Sequence, residues 1–557
     1  MGRSGNRKGY KVFSINTTIR NPQRNSEFLE TFKKFDGQVM DSSNLFLYLT
    51  ELVSNGIYKF QNMPERIKQK LDNQEKLNAQ EVESLIRLNP QAPGWNGRVM
   101  TQLRSLKDQG FLRFDGKVKT ITQLGHELLA NKQDVSFVYT RAMLGMHYLN
   151  PCRTTALNKA VPFLNTLFVI NEVNKLWAEL GNEPKGILKH EFGAFVLSMK
   201  DCDYKTAAKD IIEYRKKYRF EPNEAFFKKY LKDNDILPLK TQSLIRDYPD
   251  EVFRKFEMTG LIVQHGKFNY TYYNFSQYNI EKVKALLELY KNYSFKEFAN
   301  ANEYYKYLSL IKLPWEDNDK IRRKVVEAKA VALKMVPDAS LTLEEQESYL
   351  DRVFYTKALE KAIASTDLTQ VYKELRILAG KLKDKSVYDS IPEPLRLEYL
   401  LALAIGKKYG VKGLVSNIIY NEDGYPLHCA PSGKCDIKYI HQDGAYIIEP
   451  TMQRGRNQQL NSETTNIARH VEAEKREANL DYRVMMVAPC VHADVVRYYR
   501  LESADSRIKM MTLTIDRTIK LFESSDSVLK LNDNFDDIFG WFMTLSKEEV
   551  ADKINLS

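Results

Sequence analysis

The stretch Cys435-Asp436-Ile437-Lys438-Tyr439-Ile440-His441-Gln442-Asp443-Gly444-Ala445-Tyr446-Ile447-Ile448-Glu449-Pro450-Thr451 decides how the chain is read. Two short runs rich in β-branched and aromatic residues, Asp436–Ile440 and Ala445–Thr451, flank the polar turn His441-Gln442-Asp443-Gly444. Strand, polar turn and strand make a hairpin. If Ile440 pairs with Ala445, the same register sets Asp436 opposite Glu449. Directly opposed residues project from one face, with Cβ atoms about 4.5–5.5 Å apart. Two carboxylates that close repel each other unless a positive charge stands between them. Carboxylate oxygens suit a hard divalent ion such as Mg2+. Thr451 lies two residues beyond Glu449 and shares its face. Pro450 supplies a carbonyl but no N–H, which places it at a sheet edge or strand end.

Outward from this hairpin, residues 381–557 read as an α/β domain. A helix is expected after Pro392 and Pro394, running through Glu398 to Lys408, with a second at about 462–478. Further strands are expected at Arg483–Ala488 and at about Ile508–Ile515. Strand, helix, strand implies a right-handed crossover and a partly parallel sheet.

Residues 1–300 mix helices with short strands. Tyr10–Ile19 alternates as a strand does. Two later segments share one outline of helix, glycine and β-hairpin. The first runs from Arg98–Lys107 through Gly110 to the hairpin around Asp115-Gly116. The second runs from Glu251–Met258 through Gly260 to the hairpin around His265-Gly266. This is the outline of a winged helix, whose helix commonly enters the major groove while the hairpin lies on the backbone. Arg98, Gln102, Arg104, Lys107 and Lys117 are candidate DNA contacts in the first unit. Arg246, Arg254 and Lys255 are candidates in the second. Between 301 and 380 the pattern is helical and charged, with apolar residues at helical spacing over Lys320–Lys334 and Leu343–Ile363, interrupted by Pro314 and Pro337. This is a helical connector.

The bulk numbers agree. At roughly 100–200 residues per domain, 557 residues make about three domains. With 43% hydrophobic residues the chain has ample core. Its formal charge of +11 favours an acidic partner such as nucleic acid. Residues 1–24 carry Arg3, Arg7, Lys8, Lys11, Arg20 and Arg24 and no acid, so this arm suits phosphate contact, with Arg20 and Arg24 the candidates taken forward. The 5 cysteines are scattered, which points to a reducing compartment without disulfides. No run approaches the ~18 apolar residues that span a bilayer. A cytoplasmic bacterial protein that does not engage membranes is expected.

Asp436 followed by Glu449-Pro450-Thr451 resembles the PD-(D/E)xK nuclease core, with Thr451 where lysine is usual. Within that superfamily the chain resembles the AlwI and BstNBI family of type IIS restriction and nicking endonucleases. Other stretches similar to that family are Ser14-Ile15-Asn16-Thr17-Thr18-Ile19-Arg20-Asn21-Pro22 with Phe35-Asp36-Gly37, the helix and hairpin near 100–125, and Val487-Ala488-Pro489. The resemblance implies a multidomain α+β protein. Its N-terminal half would be mostly helical with winged-helix-like units, followed by a helical connector and a C-terminal α/β nuclease domain with a central mixed sheet. It further implies Mg2+-assisted hydrolysis of double-stranded DNA a few base pairs outside a short asymmetric site.

In that scheme Asp436 and Glu449 are direct metal ligands, with Pro450 beside them. Glu398 brings a further acid to the same ion, and Glu463 opens the following helix as an acid that supports the ligands or holds a second metal. Thr451 and Gln453 orient water, and Arg456, Arg469 and His470 hold the phosphate, His470 being counted with the catalytic group. A chain with one metal site cuts one strand per engagement, so paired cutting needs a transient dimer or a second subunit. Without one the protein is a strand-specific nickase. A host methyltransferase is the expected companion. A non-enzymatic winged-helix regulator would explain the charge and the hairpins but not the opposed carboxylates. A structure-specific repair nuclease would share the chemistry and cut at branches or mismatches.

Overall fold

The computed structural model describes the chain apart from residues 1–9, 12–18, 20, 59, 73–74, 90–93, 131–134, 153–157, 238–240, 267–270, 390, 430–434, 443, 457–458, 461–466, 468–470, 472–479 and 557. The described chain divides into two compact units: Met1–Tyr48 with Gly94–Asp351, and Leu49–Pro93 with Arg352–Ser557.

The first unit contains both helix-and-hairpin segments. In one, β1 (Gln38–Val39), α1 (Trp95–Asp108), β2 (Leu112–Asp115) and β3 (Val118–Ile121) form a helix followed by a sheet of order β1-β3-β2. Gly110 turns the chain between helix and hairpin with φ +84, a conformation glycine adopts without strain. The other consists of β4 (Ile187–Leu188), α2 (Tyr248–Glu257), β5 (Ile262–His265) and β6 (Tyr272–Phe275), in sheet order β4-β6-β5. Here Gly260 takes the same role with φ +67. In each case a third short strand completes the sheet, which the sequence pattern did not suggest. Of the strand expected at Tyr10–Ile19, Tyr10–Lys11 pairs with Ile236–Leu237, and residues 12–18 lie outside the described residues.

Two recognition candidates are corrected by helical phase. On α1 the apolar stripe is Val99, Leu103 and Leu106, and Gln102 points inward with it at 3% exposure. Arg98 and Arg104 occupy the exposed side. On α2, Lys255 lies between Val252 and Phe256 and is fully buried, with its Nζ donating to the Glu251 carbonyl at 2.9 Å. Neither Gln102 nor Lys255 is placed to touch DNA. The partly exposed side of α2 carries Asp250, Arg254 and Glu257, so Arg254 stands between two acids.

Burial lowers the Lys255 ammonium from its ordinary 10.5 to about 8. Below about 8 the folded chain bears the full cost of the buried charge. Between the two values the unfolded chain binds more protons, so stability rises with pH. Lys255→Met is therefore expected to stabilise the protein by about 1–3 kcal/mol near neutral pH. The gain should shrink as pH climbs through the window between the two values, which thermal melts of both proteins at neutral and alkaline pH would read.

Beyond the second hairpin come the helices α3 (Ile280–Leu289), α4 (Asp319–Leu333) and α5 (Leu343–Ser365). Asn318 caps α4, accepting from the backbone of Lys320 and Ile321.

The second unit is built on a five-stranded sheet. Its elements are α6 (Glu393–Tyr409), β7 (Leu414–Ser416), β8 (Ile418–Tyr420), β9 (Pro426–Cys429), β10 (Ile437–His441), β11 (Gly444–Pro450), β12 (Tyr482–Ala488), α7 (Ala493–Ser506), β13 (Lys509–Thr514), α8 (Ile515–Glu523), α9 (Val528–Thr544) and α10 (Lys547–Asn555). The sheet order is β13-β12-β11-β10-β7, and β8 pairs with β9 in a separate hairpin. β11 pairs antiparallel with β10 and parallel with β12, and β12 is parallel to β13. This is the mixed sheet the pattern implied. Every residue of β11 and β12 is buried, as expected for central strands whose sequences, such as Ala445-Tyr446-Ile447-Ile448, run apolar on both faces. On the face opposite Glu449, Tyr446 donates to Asn532 of α9 at 2.7 Å, and Arg483 pairs with Asp536 of the same helix. α6 starts after Pro392, with Pro394 in its first turn where the missing N–H costs nothing. It packs on β7, β9, β10 and β11.

Candidate active site

The hairpin register is the expected one: Ile440 pairs with Ala445 and Ile437 with Ile448. Pairing extends to His441 and Gly444, so the turn is tighter than the four residues His441–Gly444, and Asp443 lies outside the described residues. One step before Ile437, the carbonyl of Asp436 accepts from Asn417 N at 2.8 Å, which continues the β7–β10 pairing. One step beyond Pro450, Thr451 N donates to the Val487 carbonyl at 2.8 Å, continuing β11 against β12. Both ladders thus hold to the rim of the sheet. Carried one step past Ile437 and Ile448, the β10–β11 register brings Asp436 level with Glu449, with Thr451 on the face of Glu449 and Pro450 at the strand end.

Burial sharpens the picture. Glu449 is 5% exposed, Glu398 7% and Thr451 6%, while Asp436 is half-buried. Carboxylates are almost never buried unless paired, hydrogen-bonded or bound to a cation. Glu398 comes from α6 and meets the end of β9, where its Oε1 lies 3.3 Å from Cys429 Sγ. Burial, then the Glu398 and Asp436 carboxylates, push the Cys429 thiol well up. Both carboxylates therefore lie within electrostatic reach of this thiol. Among the described residues no three His, Cys, Asp or Glu side chains close into a metal cage. Mg2+ is commonly bound by one or two carboxylates plus waters and substrate phosphates and needs no such cage.

Past the strand end, Gln453 N donates to Thr451 Oγ1 at 3.2 Å. The buried Gln459 donates from Nε2 to the carbonyls of Gln453 and Cys490, both at 2.8 Å, which ties the segment after β11 to the one after β12. Arg456 is exposed and its Nε is 2.5 Å from Asp494, which also pairs with Lys547. A phosphate would have to share this arginine with Asp494.

A model of the AlwI restriction endonuclease family matches residues 109–522. The chain belongs to that family. It is accordingly a restriction endonuclease, an enzyme that cuts DNA, and the regulator alternative is set aside. Among solved structures it is similar to the small subunit (R.BspD6I2) of the heterodimeric restriction endonuclease R.BspD6I, at 18% identity and a TM-score of 0.28, over 33% of this chain and 93% of that one. It is also similar to the restriction endonuclease FokI, at 11% identity and a TM-score of 0.20, over 97% of this chain and 96% of that one. FokI bound to DNA gives 12% identity and a TM-score of 0.19, over 97% and 95%. No curated protein matches the chain. Among the described residues no helix is long and apolar enough to cross a membrane.

Of the site residues expected for an AlwI-family enzyme, Asp436, Glu449, Pro450 and Thr451 share one sheet rim, and Glu398 reaches the Cys429 side of it. Glu463, Arg469, His470, Arg20 and most of the helix at 462–478 lie outside the described residues. Of the residues expected to contact DNA, Arg98, Arg104 and Lys117 are exposed in the first helix-and-hairpin segment. Lys107 donates to the Cys152 carbonyl at 2.8 Å. Burial, then the nearby Lys107 and Arg104, lower the Lys119 ammonium, although Asp115 opposes them. These like charges therefore gather on one side of the unit. Arg24 pairs with Glu27 at 3.0 Å and Arg246 with Glu224 at 3.4 Å, both near the surface. Sequence reasoning missed Asn417, Gln459 and the approach of Cys429 to Glu398. The Asp423-Gly424 turn between two short apolar runs was a usable hairpin signal for the strand that carries Cys429.

Proposed function

We propose that this enzyme is a type IIS restriction endonuclease, with residues 1–300 reading a short asymmetric DNA site through two winged-helix-like subdomains. Residues 301–380 link that region to the catalytic domain, 381–557, which hydrolyses a phosphodiester a few base pairs away. The observation that supports the reading is the β10–β11 register, in which Ile437 pairs with Ile448, so that one further step would bring Asp436 level with Glu449.

Asp436 and Glu449 would hold Mg2+ with the Pro450 carbonyl beside them, and Glu398 from α6, which closes no three-acid cage with them among the described residues, would be drawn to the ion when it binds. When bound, such an ion lowers the pKa of a water and offsets charge on the phosphoryl oxygens. Thr451, held in the ladder through its N–H, and Gln453, hydrogen-bonded to it, orient the attacking water at the position where lysine is absent. Glu463 is assigned as a supporting acid, with His470, Arg469 and Arg456 steadying the phosphate. Arg98, Arg104, Lys107 and Lys117 are the leading DNA contacts, and Arg20, Arg24, Arg246 and Arg254 contribute to backbone affinity. The protein acts in the bacterial cytoplasm beside a methyltransferase that protects host sites.

One carboxylate cluster per chain cuts one strand at a time. Double-strand scission then requires a second catalytic domain, from a transient dimer or a second subunit; without it the enzyme nicks one strand. Incubation with phage DNA and Mg2+, followed by sequencing of the ends, is expected to return discrete fragments with a fixed offset from one asymmetric site. Supercoiled plasmid carrying that site once would give linear product for paired cutting and persistent open circle for nicking. Cutting confined to branched or mismatched DNA would reject the type IIS reading in favour of a repair nuclease.

A further inference from the structure

Glu398 is met by one side chain to which the reaction above gives no task. Cys429 ends β9, is a free thiol, and its Sγ lies 3.3 Å from Glu398 Oε1. A carboxylate only accepts hydrogen bonds, and a cysteine thiol keeps its proton near neutral pH, so the S–H donates to Oε1. Glu398 is 7% exposed on a helix packed against β9, β10 and β11, so its carboxylate is set by protein neighbours more than by water. The donor is also a weak one. It fixes one oxygen of the carboxylate without drawing much charge from the other, which an ammonium or guanidinium at the same place would do.

We propose that Cys429 is a positioning residue of the nuclease site, whose S–H bond to Oε1 holds the Glu398 carboxylate so that it joins Asp436 and Glu449 on one divalent cation. The proposal rests on Glu398 being a ligand of that cation. Ligand-orienting partners of this kind typically contribute 10–100-fold to metal affinity.

The test uses the full-length enzyme, with Mn2+ as probe. Mn2+ binding without DNA is followed by the electron paramagnetic resonance of the free ion, and cleavage rate is measured against Mg2+ concentration. C429A is expected to weaken Mn2+ binding by about tenfold or more and to raise the Mg2+ needed for half-maximal rate in parallel. Its rate at saturating Mg2+ should stay near that of the natural enzyme. C429S keeps a donor and is expected to recover most of the affinity. If C429A proves unstable, C429V fills the volume without the donor and gives the same reading. Mn2+ binding unchanged in C429A but lost in E398Q would overturn the role of the thiol and leave Glu398 as a ligand. A lower maximal rate in C429A with unchanged Mn2+ affinity would overturn it too. Natural affinity and rate in E398Q would remove Glu398 from the cation, and this proposal with it.

Discussion

Asp436→Asn is expected to slow DNA strand scission by about a thousandfold or more while leaving specific binding intact. The substitution keeps the size of the side chain and removes its charge. Asp436 is half-buried at the sheet rim, and its backbone carbonyl, not its side chain, continues the pairing with Asn417, so the sheet has no reason to change. What is lost is half of the opposed carboxylate pair. A divalent ion supplies several kcal/mol of transition-state stabilisation, and each factor of ten in rate corresponds to about 1.4 kcal/mol. Glu449→Gln should do the same from the partner strand. Plasmid cleavage in Mg2+ measures the loss, and gel shift in Ca2+ measures retained binding. Cutting at the natural rate by either variant would take the pair out of the reaction.

The largest effect on stability is expected at Lys329 and Glu347. Lys329 of α4 has a side chain only 2% exposed, and its Nζ is 2.8 Å from Glu347 and 2.7 Å from Asp351, both on α5. Glu347 also receives Lys282 of α3 at 2.7 Å. Burial works against the Lys329 charge, but Asp351 and Glu347 outweigh it and hold the ammonium above its ordinary value. Burial likewise opposes ionisation of Glu347, and Lys282 and Lys329 overcome it, holding that carboxyl well below the usual range. Removing one member of such a set leaves an uncompensated buried charge, at about 3–5 kcal/mol.

Lys329→Ala should therefore lower the melting temperature of the N-terminal unit by about 10 °C, at roughly 2–4 °C per kcal/mol for a unit of this size. Glu347→Gln should cost a similar amount and should also change the acid limb. A depressed carboxyl contributes stability that is present above its unfolded value and is lost as pH falls through the folded one. The natural protein should lose stability as pH drops below the ordinary glutamate range, and the Glu347→Gln protein should lose less. A melting temperature unchanged by Lys329→Ala would show that the network carries no net stability.

What could be read from the chain was what depends on local spacing. The hairpin at 436–451, both helix-glycine-hairpin segments, the helices expected over Lys320–Lys334 and Leu343–Ile363 and the partly parallel sheet all follow from periods of two and 3.6 and from turn residues. The carboxylate pair was legible because it lies within a single hairpin. Lys255 and Gln102 misled because a polar residue inside a recognition-like helix looks like a contact until the phase of the apolar stripe is taken into account. Val99, Leu103 and Leu106 place Gln102 inside, and Val252 and Phe256 do the same for Lys255. Cys429 was invisible as a neighbour of Glu398 because their approach is made by tertiary packing of α6 on β9, which no spacing encodes.

The two ladders that run to the rim of the C-terminal sheet have one more consequence. Side chains on a strand alternate, so moving the pairing by one residue exchanges the two faces. Within β11 the chemistry therefore depends on parity as much as on identity. An even change in length keeps Glu449 on the face of Asp436, though displaced along the strand, whereas an odd one turns it toward the side where Tyr446 meets α9. Between the strands, the tip that follows His441 is free of that arithmetic. Evolutionary change in length at this hairpin has one permissive place, its tip, and the rest of the segment is counted in steps of two.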